Sequence, residues 1–270
     1  MSVAIPTLNS ETTLDTTILS LKNQRDVEVV IIVVDSGSKD GTLDICRHWN
    51  VEVKYFQAGN MYGAVNEGLK SSSSEWLTYL NSDDWIYPDS FSRLISYGDK
   101  SNADLVYGKC DFTDVHGRFM YSFSPPFPNQ LNSIVRTGRL GFAQQATVFR
   151  NCLYTKLNGF DVKYKFSADK DFYIRALQAN ATFSFLTGSP VSCFRLHTKQ
   201  LSSTKAELME HESKQINQCL VQPPNLYDFF IKTNWQLRNI PNYLIRFMRQ
   251  SMLSERIVLA RSIYPGFHIE

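Results

Sequence analysis

At 270 residues, with 43% hydrophobic and 20% charged residues and a net charge of +2, the chain has the makeup of one large α/β domain, or one domain with a helical appendage. That charge balance gives no electrostatic reason to expect nucleic-acid binding. Cys46, Cys110, Cys152, Cys193 and Cys219 are widely spaced and never form a Cys-x-x-Cys pair, so neither a disulfide framework nor a zinc site is expected.

The opening Met-Ser-Val-Ala-Ile-Pro reads as a strand rather than a signal peptide, with Val3 to Ile5 apolar and Pro6 ending the run. Ser10 and Glu11 open a helix carrying Leu14, Ile18, Leu19 and Leu21 at helical spacing. Residues 27–34 are a near-continuous β-branched run ending at Asp35, the pattern of a strand buried on both faces of a parallel sheet. A turn-rich loop over 36–42, with Asp40, Gly41 and Thr42 read as a helix start, leads to a helix through Trp49 and a strand over 51–56. A helix over 61–70 and a strand ending at Leu80 complete an alternation that predicts a doubly wound, largely parallel sheet. After a helix near 90–97 come shorter strands at 104–107, 109–113 and 119–123, then a proline-rich loop at 124–128. Helices at 150–157 and 169–179 and strands at 182–186 and 191–196 follow. From Lys205 the chain reads as helical to its end, broken at Pro223-Pro224, Pro241 and Pro265. No run reaches the roughly twenty apolar residues that cross a bilayer, so a cytoplasmic protein with at most peripheral membrane contact is expected.

Polar or acidic residues end successive strands: Thr7 and Asn9 after the first, Asp35 after the second, Asp83 and Asp84 after the fourth. In an open α/β sheet they converge on the edge where ligands bind. Adjacent acids repel unless a cation, hydrogen bonds or protonation relieves them, so the Asp83-Asp84 pair suits a hard divalent ion shared with phosphate oxygens. The plainer reading is a strand end and helix cap, for which Asn-Ser-Asp-Asp is also good chemistry. Neither Gly-x-Gly-x-x-Gly nor Gly-x-x-x-x-Gly-Lys is present, so a glycine-rich phosphate loop is excluded.

Ile-Pro-Thr-Leu-Asn at 5–9, Val-Val-Asp-Ser-Gly-Ser-Lys-Asp-Gly-Thr at 33–42 and Leu-Asn-Ser-Asp-Asp at 80–84 resemble, in order and spacing, the N-terminal signatures of glycosyltransferase family 2. Residues 59–68, Gly-Asn-Met-Tyr-Gly-Ala-Val-Asn-Glu-Gly, resemble a segment of its bacterial exopolysaccharide, capsule and lipopolysaccharide subgroup. Gln144 to Arg150 and Gly159-Phe160-Asp161 resemble its acceptor-side signature, with Gln144 where relatives have His. The resemblance implies a GT-A fold over 1–204, with a donor half at 1–100, an acceptor half at 101–204 and a helical extension at 205–270. It also implies inverting transfer from a nucleoside diphosphate sugar, a UDP-sugar being usual, to a glycan or lipid-linked acceptor, with Mn²⁺ or Mg²⁺. Matched motif to motif, Asp35 would receive the nucleobase, Thr7 and Asn9 would line the nucleoside pocket, and Asn66 would support the donor. Asp84 would bind the metal and Asp83 the ribose or sugar side. Asp169, in Ser167-Ala168-Asp169-Lys170-Asp171, matches the base that takes the acceptor proton, with Asp171 left to a structural role. His197, in a Phe-Arg-Leu-His segment, would complete the metal shell or contact diphosphate, against the reading of an exposed loop histidine. Arg195 or Lys199 could equally meet phosphate. Trp49, Trp76, Trp85 and Tyr79 read as packing, although Trp85 could flank the donor.

Two other classes compete: a noncatalytic nucleotide-sugar or glycan module of the same fold, against which Asp169 and the acid pair speak, and a sugar nucleotidyltransferase. The latter would carry a glycine-rich basic loop where Pro6-Thr7-Leu8-Asn9 stands. Residues 235–261 form a basic amphipathic stretch that suits packing on the domain or on a second subunit, or an anionic membrane surface, packing being favoured.

Overall fold

The computed structural model describes residues 1–198 and 200–251. In chain order the first half runs β1 (Ser2–Thr7), α1 (Leu14–Lys22), β2 (Val30–Asp35), α2 (Thr42–His48), β3 (Glu52–Tyr55), α3 (Met61–Leu69), β4 (Trp76–Tyr79), β5 (Trp85–Ile86) and α4 (Ser90–Lys100). The second half runs β6 (Leu105–Tyr107), β7 (Cys110–Thr113), β8 (Phe119–Phe123), α5 (Leu131–Arg136), β9 (Thr147–Arg150), α6 (Asn151–Lys156), α7 (Ala168–Gln178), β10 (Phe183–Phe185) and β11 (Ser192–Arg195). Helices α8 (Leu201–Thr204), α9 (Ala206–Leu220), α10 (Leu226–Arg238) and α11 (Ile240–Ser251) close the described chain.

Seven strands form one sheet in the order β10-β6-β9-β4-β1-β2-β3, parallel except for β9, which runs against both β4 and β6. The buried β-branched run of β2 takes the place next to β1 that its composition predicts. Strand β1 runs through Pro6 rather than stopping there. Its pairing with β4 ends at Ala4 opposite Tyr79, whereas its pairing with β2 continues to Thr7 opposite Asp35. Pro6 therefore falls where no neighbour on the β4 side needs its missing N–H.

A second sheet, β5-β11-β7-β8, is not anticipated by the sequence reading. The two residues of β5 follow directly on the acid pair, and Trp85 lies opposite Cys193 in an antiparallel register. That register draws the chain after Cys193 back past Asp84 and Asp83. Trp85 itself is fully buried under the Arg195 guanidinium, which settles it as packing.

The large sheet is covered on both sides, so its apolar side chains divide into two main clusters. One holds Tyr62, Tyr79, Phe149, Phe160 and Phe172; the other holds Ile5, Ile18, Val33, Trp76 and Phe91. Helix α4 lies so close to the sheet that a Cβ at Gly98 would stand 2.5 Å from the Trp76 ring and 2.8 Å from Val106. Gly98→Ala is expected to cost about 1–3 kcal/mol through overpacking. A denaturant midpoint unchanged from wild type would mean that the α4 face is looser than this.

Helix α5 adds to the predicted elements, and the helical run parts into α10 and α11 at Pro241 as expected, the proline taking a place in the first turn of α11. The C-terminal helices dock on the sheet domain. Ile216 of α9 joins the Phe172 cluster, and Trp235 of α10 packs edge-on to Phe123 while donating to the Ser124 carbonyl at 3.0 Å. Asp228 caps α10 with Asn225 and pairs with Arg136 of α5 at 3.5 Å. Leu237, Leu244 and Phe247 on α10 and α11 remain exposed. The part of the amphipathic stretch beyond 251, and Lys199, lie outside the described residues. No described helix is long and apolar enough to cross a membrane.

Candidate active site

Parallel β1, β2 and β4 deliver their following loops to one edge of the sheet, and short side chains tie those loops together. Asn9, in the left-handed conformation at φ 50°, accepts from Lys39 N at 2.9 Å, and its own N–H donates to Ser38 Oγ at 2.8 Å. Ser10 N donates to Thr42 Oγ1 at 2.8 Å, while Ser10 Oγ and Ser82 Oγ lie 2.8 Å apart. The first loop is thereby stitched both to the loop after β2 and to the acid loop. Asp40 accepts from both the backbone N–H and the hydroxyl of Thr42, so this stretch is the turn and helix start that its composition suggests.

Asp35 is buried at the end of β2, where its carboxylate shapes the following turn. One oxygen accepts from Gly37 N at 2.9 Å and Ser38 N at 3.0 Å, and the other from Ser38 Oγ at 2.5 Å. Thr7 is buried beside it, and its hydroxyl donates back to the Ile5 carbonyl at 3.1 Å.

The two acids of the pair have different surroundings. Asp84 is 1% exposed, and its oxygens accept from Arg195 N at 3.0 Å, Gln145 Nε2 at 2.8 Å and Asn81 Nδ2 at 3.3 Å. Burial, with the Asp83 charge adding to it, pushes the Asp84 carboxyl well above the usual range, against the pull of those donors. Asp83 is partly exposed and lies 2.7 Å from His197 Nε2. Asp84, expected to face the ion, is thus the buried acid of the pair, with three N–H donors already on its carboxylate and a single acceptor position left on Oδ1. The more accessible carboxylate and imidazole are the partly exposed ones of Asp83 and His197, the latter's backbone N–H held by Gln200 Oε1 at 3.0 Å.

Asp169 stands in the first turn of α7, partly buried. Its Oδ1 accepts from the Tyr62 hydroxyl at 2.9 Å and from Lys170 N at 2.8 Å. Burial raises its pKa, and these two hydrogen bonds act against that rise. Tyr62 also meets Tyr79 edge to face at 6.1 Å, which sets Asp169 over the end of β4, the strand that leads to the acid loop. Asp171 is buried and turned to Arg175 at 2.6 Å, the structural role expected of it.

Asn66 directs its amide to the protein. Its Nδ2 donates to Phe160 O at 2.8 Å, and its Oδ1 accepts from Tyr154 at 2.8 Å and Phe160 N at 3.0 Å, so it fastens α3 to the turn at Gly159. Gln144 donates to the Tyr79 carbonyl at 2.6 Å and is buried, a backbone brace in place of an acceptor contact. Gln145, Tyr62 and Glu212 touch the site acids or their helix without having been singled out as site residues. Gln145 and Tyr62 lie inside quoted motifs, whereas Glu212, treated below, has no local signal. Among the described residues no three His, Cys, Asp or Glu side chains gather as a metal cluster.

Residues 2–156 match the family described as Glycosyl transferase family 2. A Mycobacterium tuberculosis protein named PGL/p-HBAD biosynthesis glycosyltransferase is 28% identical over 182 residues, covering 64% of this chain and 68% of its own. Among solved structures, Staphylococcus aureus TarS 1-349 in complex with UDP-GlcNAc superposes with a TM-score of 0.62 at 22% identity, covering 97% of this chain and 77% of that one. Against the longer TarS chain the covered share falls to 46%. The mannosyltransferase PcManGT from Pyrobaculum calidifontis, in complex with GDP-Man and Mn²⁺, gives 0.60 at 15% identity, over 93% of this chain and 72% of that one.

Proposed function

The chain belongs to glycosyl transferase family 2, and from that premise we propose that it is an inverting enzyme moving a sugar from a UDP-sugar to a hydroxyl of a glycan or lipid-linked acceptor. Its fold is GT-A and its activity that of a nucleotide-sugar glycosyltransferase. The observation that carries the finer reading is the split between the two acids: one buried under three N–H donors, one partly exposed and paired with an imidazole.

In this reading the uracil lies against the Asp35 turn, where the carboxylate oxygen that accepts only from Ser38 Oγ keeps a further lone pair for an N–H of the base. Thr7 and Asn9 shape that pocket through the backbone, and Asn66 is released from the donor role. Asp83 and His197 are the residues that would hold Mn²⁺ or Mg²⁺. A carboxylate oxygen and an imidazole nitrogen suit Mn²⁺ well, and two protein ligands leave the remaining positions for diphosphate oxygens and water. The bound ion would supply Lewis-acid stabilisation of the departing diphosphate. Asp84 holds the acid loop in shape by fixing Arg195 N and Gln145. Asp169 takes the acceptor hydroxyl proton, its burial making it a stronger base than an exposed carboxylate.

The catalytic unit is proposed to span residues 1–204 with a helical extension at 205–270. Exposed apolar side chains of α10 and α11, next to Lys232 and Arg246, suit contact with an anionic membrane surface on the cytoplasmic side, where a lipid-linked acceptor would be met. The same face would be covered in a homodimer.

Thermal shift against nucleoside diphosphates and their sugars, with and without Mn²⁺, tests the donor class. UDP and UDP-sugars at a hundredfold excess over Kd are expected to raise Tm by roughly 5 °C or more, with Mn²⁺ required for the full effect. Stabilisation by no nucleotide would favour a module that keeps the fold without transfer.

A further inference from the structure

We infer that helix α9 of the C-terminal extension positions the catalytic base through Glu212, an inference that rests on Asp169 being that base. Helix α7 begins without a side-chain cap of its own: Ser167, at its N-cap, makes no capping bond and turns its hydroxyl to the Met209 carbonyl at 3.2 Å. The entry to the helix is held instead by a residue 45 positions away. Glu212 accepts from three successive backbone N–H groups, Lys165 at 2.9 Å, Phe166 at 2.8 Å and Ser167 at 3.0 Å. These donors belong to the residues that enter α7, so the carboxylate fixes the approach to the helix, and its charge complements the dipole. Asp169 lies two residues beyond that clamp, in the first turn whose direction the clamp fixes.

A second tether acts on the residue next to the base. Lys170 Nζ donates to Ser213 Oγ at 2.6 Å and to the Gly138 carbonyl at 3.0 Å, both from a buried position. Burial lowers the Lys170 pKa to about 8, with the Asp169 charge opposing the fall. Between the two tethers and the far end of α7, where Gln178 Nε2 donates to Leu220 O at 2.5 Å, Ile216 is buried in the cluster that holds Phe172. Helix α9 thus grips α7 at its start, middle and end. The segment leading into α9 also carries the donor-side contacts: Arg195 N on Asp84 and His197 on Asp83. One stretch of chain therefore sets the acids of the donor side and the base of the acceptor side. Glu212 spends its carboxylate on backbone N–H groups, so it is a positioning residue and not a catalytic one.

The test uses the full chain carrying Glu212→Ala, with Glu212→Gln as the conservative variant and Asp169→Asn as the reference. UDP affinity is measured by calorimetry with Mn²⁺, and UDP release from UDP-sugars is counted per UDP-binding site across pH. Hydrogen exchange of the amides of 165–167 is followed in parallel. Glu212→Ala is expected to bind UDP within twofold of wild type and lose protection at those amides. Its kcat should fall at least 30-fold at nearly constant donor KM, with a displaced acidic limb of the pH profile. Glu212→Gln, which keeps an acceptor oxygen at the same reach, should recover part of the rate. A lowered Tm with wild-type kcat and pH profile in Glu212→Ala would overturn the inference and leave Glu212 a stabilising contact. Full activity of Asp169→Asn would instead overturn the base assignment on which it rests.

Discussion

Asp169→Asn is expected to bind UDP as the wild type does and to lose sugar transfer by about 10²–10⁴-fold, the usual span for a general base. The substitution keeps the shape of the side chain and its acceptance from Tyr62 and Lys170 N, so α7 should stay in place. Only the ability to take a proton is removed. The pH dependence follows with a definite sign. A base works when deprotonated, so activity rises with pH through its pKa, and burial has raised that pKa. The acidic limb should lie above the ordinary carboxylate range. Tyr62→Phe removes a hydrogen bond that holds the pKa down, so it should move the limb further up. A limb in the ordinary carboxylate range, or a fully active Asn variant, would remove Asp169 from the reaction.

The second large effect separates the adjacent acids. Asp83→Asn is expected to lower transfer by roughly 10²–10³-fold, the scale for losing one electrostatic contact to a developing charge, and to abolish the gain in UDP affinity given by Mn²⁺. Asp84→Asn should instead destabilise the fold. Its amide nitrogen would confront N–H donors in a buried site, at a cost of about 1–3 kcal/mol, while folded molecules keep their response to Mn²⁺. The reverse pattern would return the ion to Asp84. His197→Ala should follow Asp83→Asn in its loss of Mn²⁺ response, since the two side chains share one position on the rim.

The parallel half of the fold was readable because β1, β2 and β4 are apolar runs ending in polar residues, and buried parallel strands need little more than that. Loop chemistry was readable for the same local reason: Asp40 and Thr42 do what their side chains do in any turn. What escaped was long-range. The two residues of β5 are too short to announce a strand, yet their pairing with β11 decides which acid is buried. Adjacent aspartates look alike in sequence, and contacts from distant residues, Arg195 N and Gln145 on one and His197 on the other, tell them apart. Asn66 sits in a motif that implies a donor role, whereas its partners in the fold come from a turn nearly a hundred residues on. Glu212 has no local pattern at all, because it holds the entry to a helix other than its own.

The most direct test is a crystal structure grown with UDP and Mn²⁺, with the ion located from its anomalous scattering. One peak is expected within bonding distance of Asp83, His197 and the diphosphate, with uracil against the Asp35 turn and Asp84 still bound to Arg195 N and Gln145. An ion coordinated by Asp84 with Asp83 turned away, or a nucleotide bound anywhere but this edge of the sheet, would contradict this expectation.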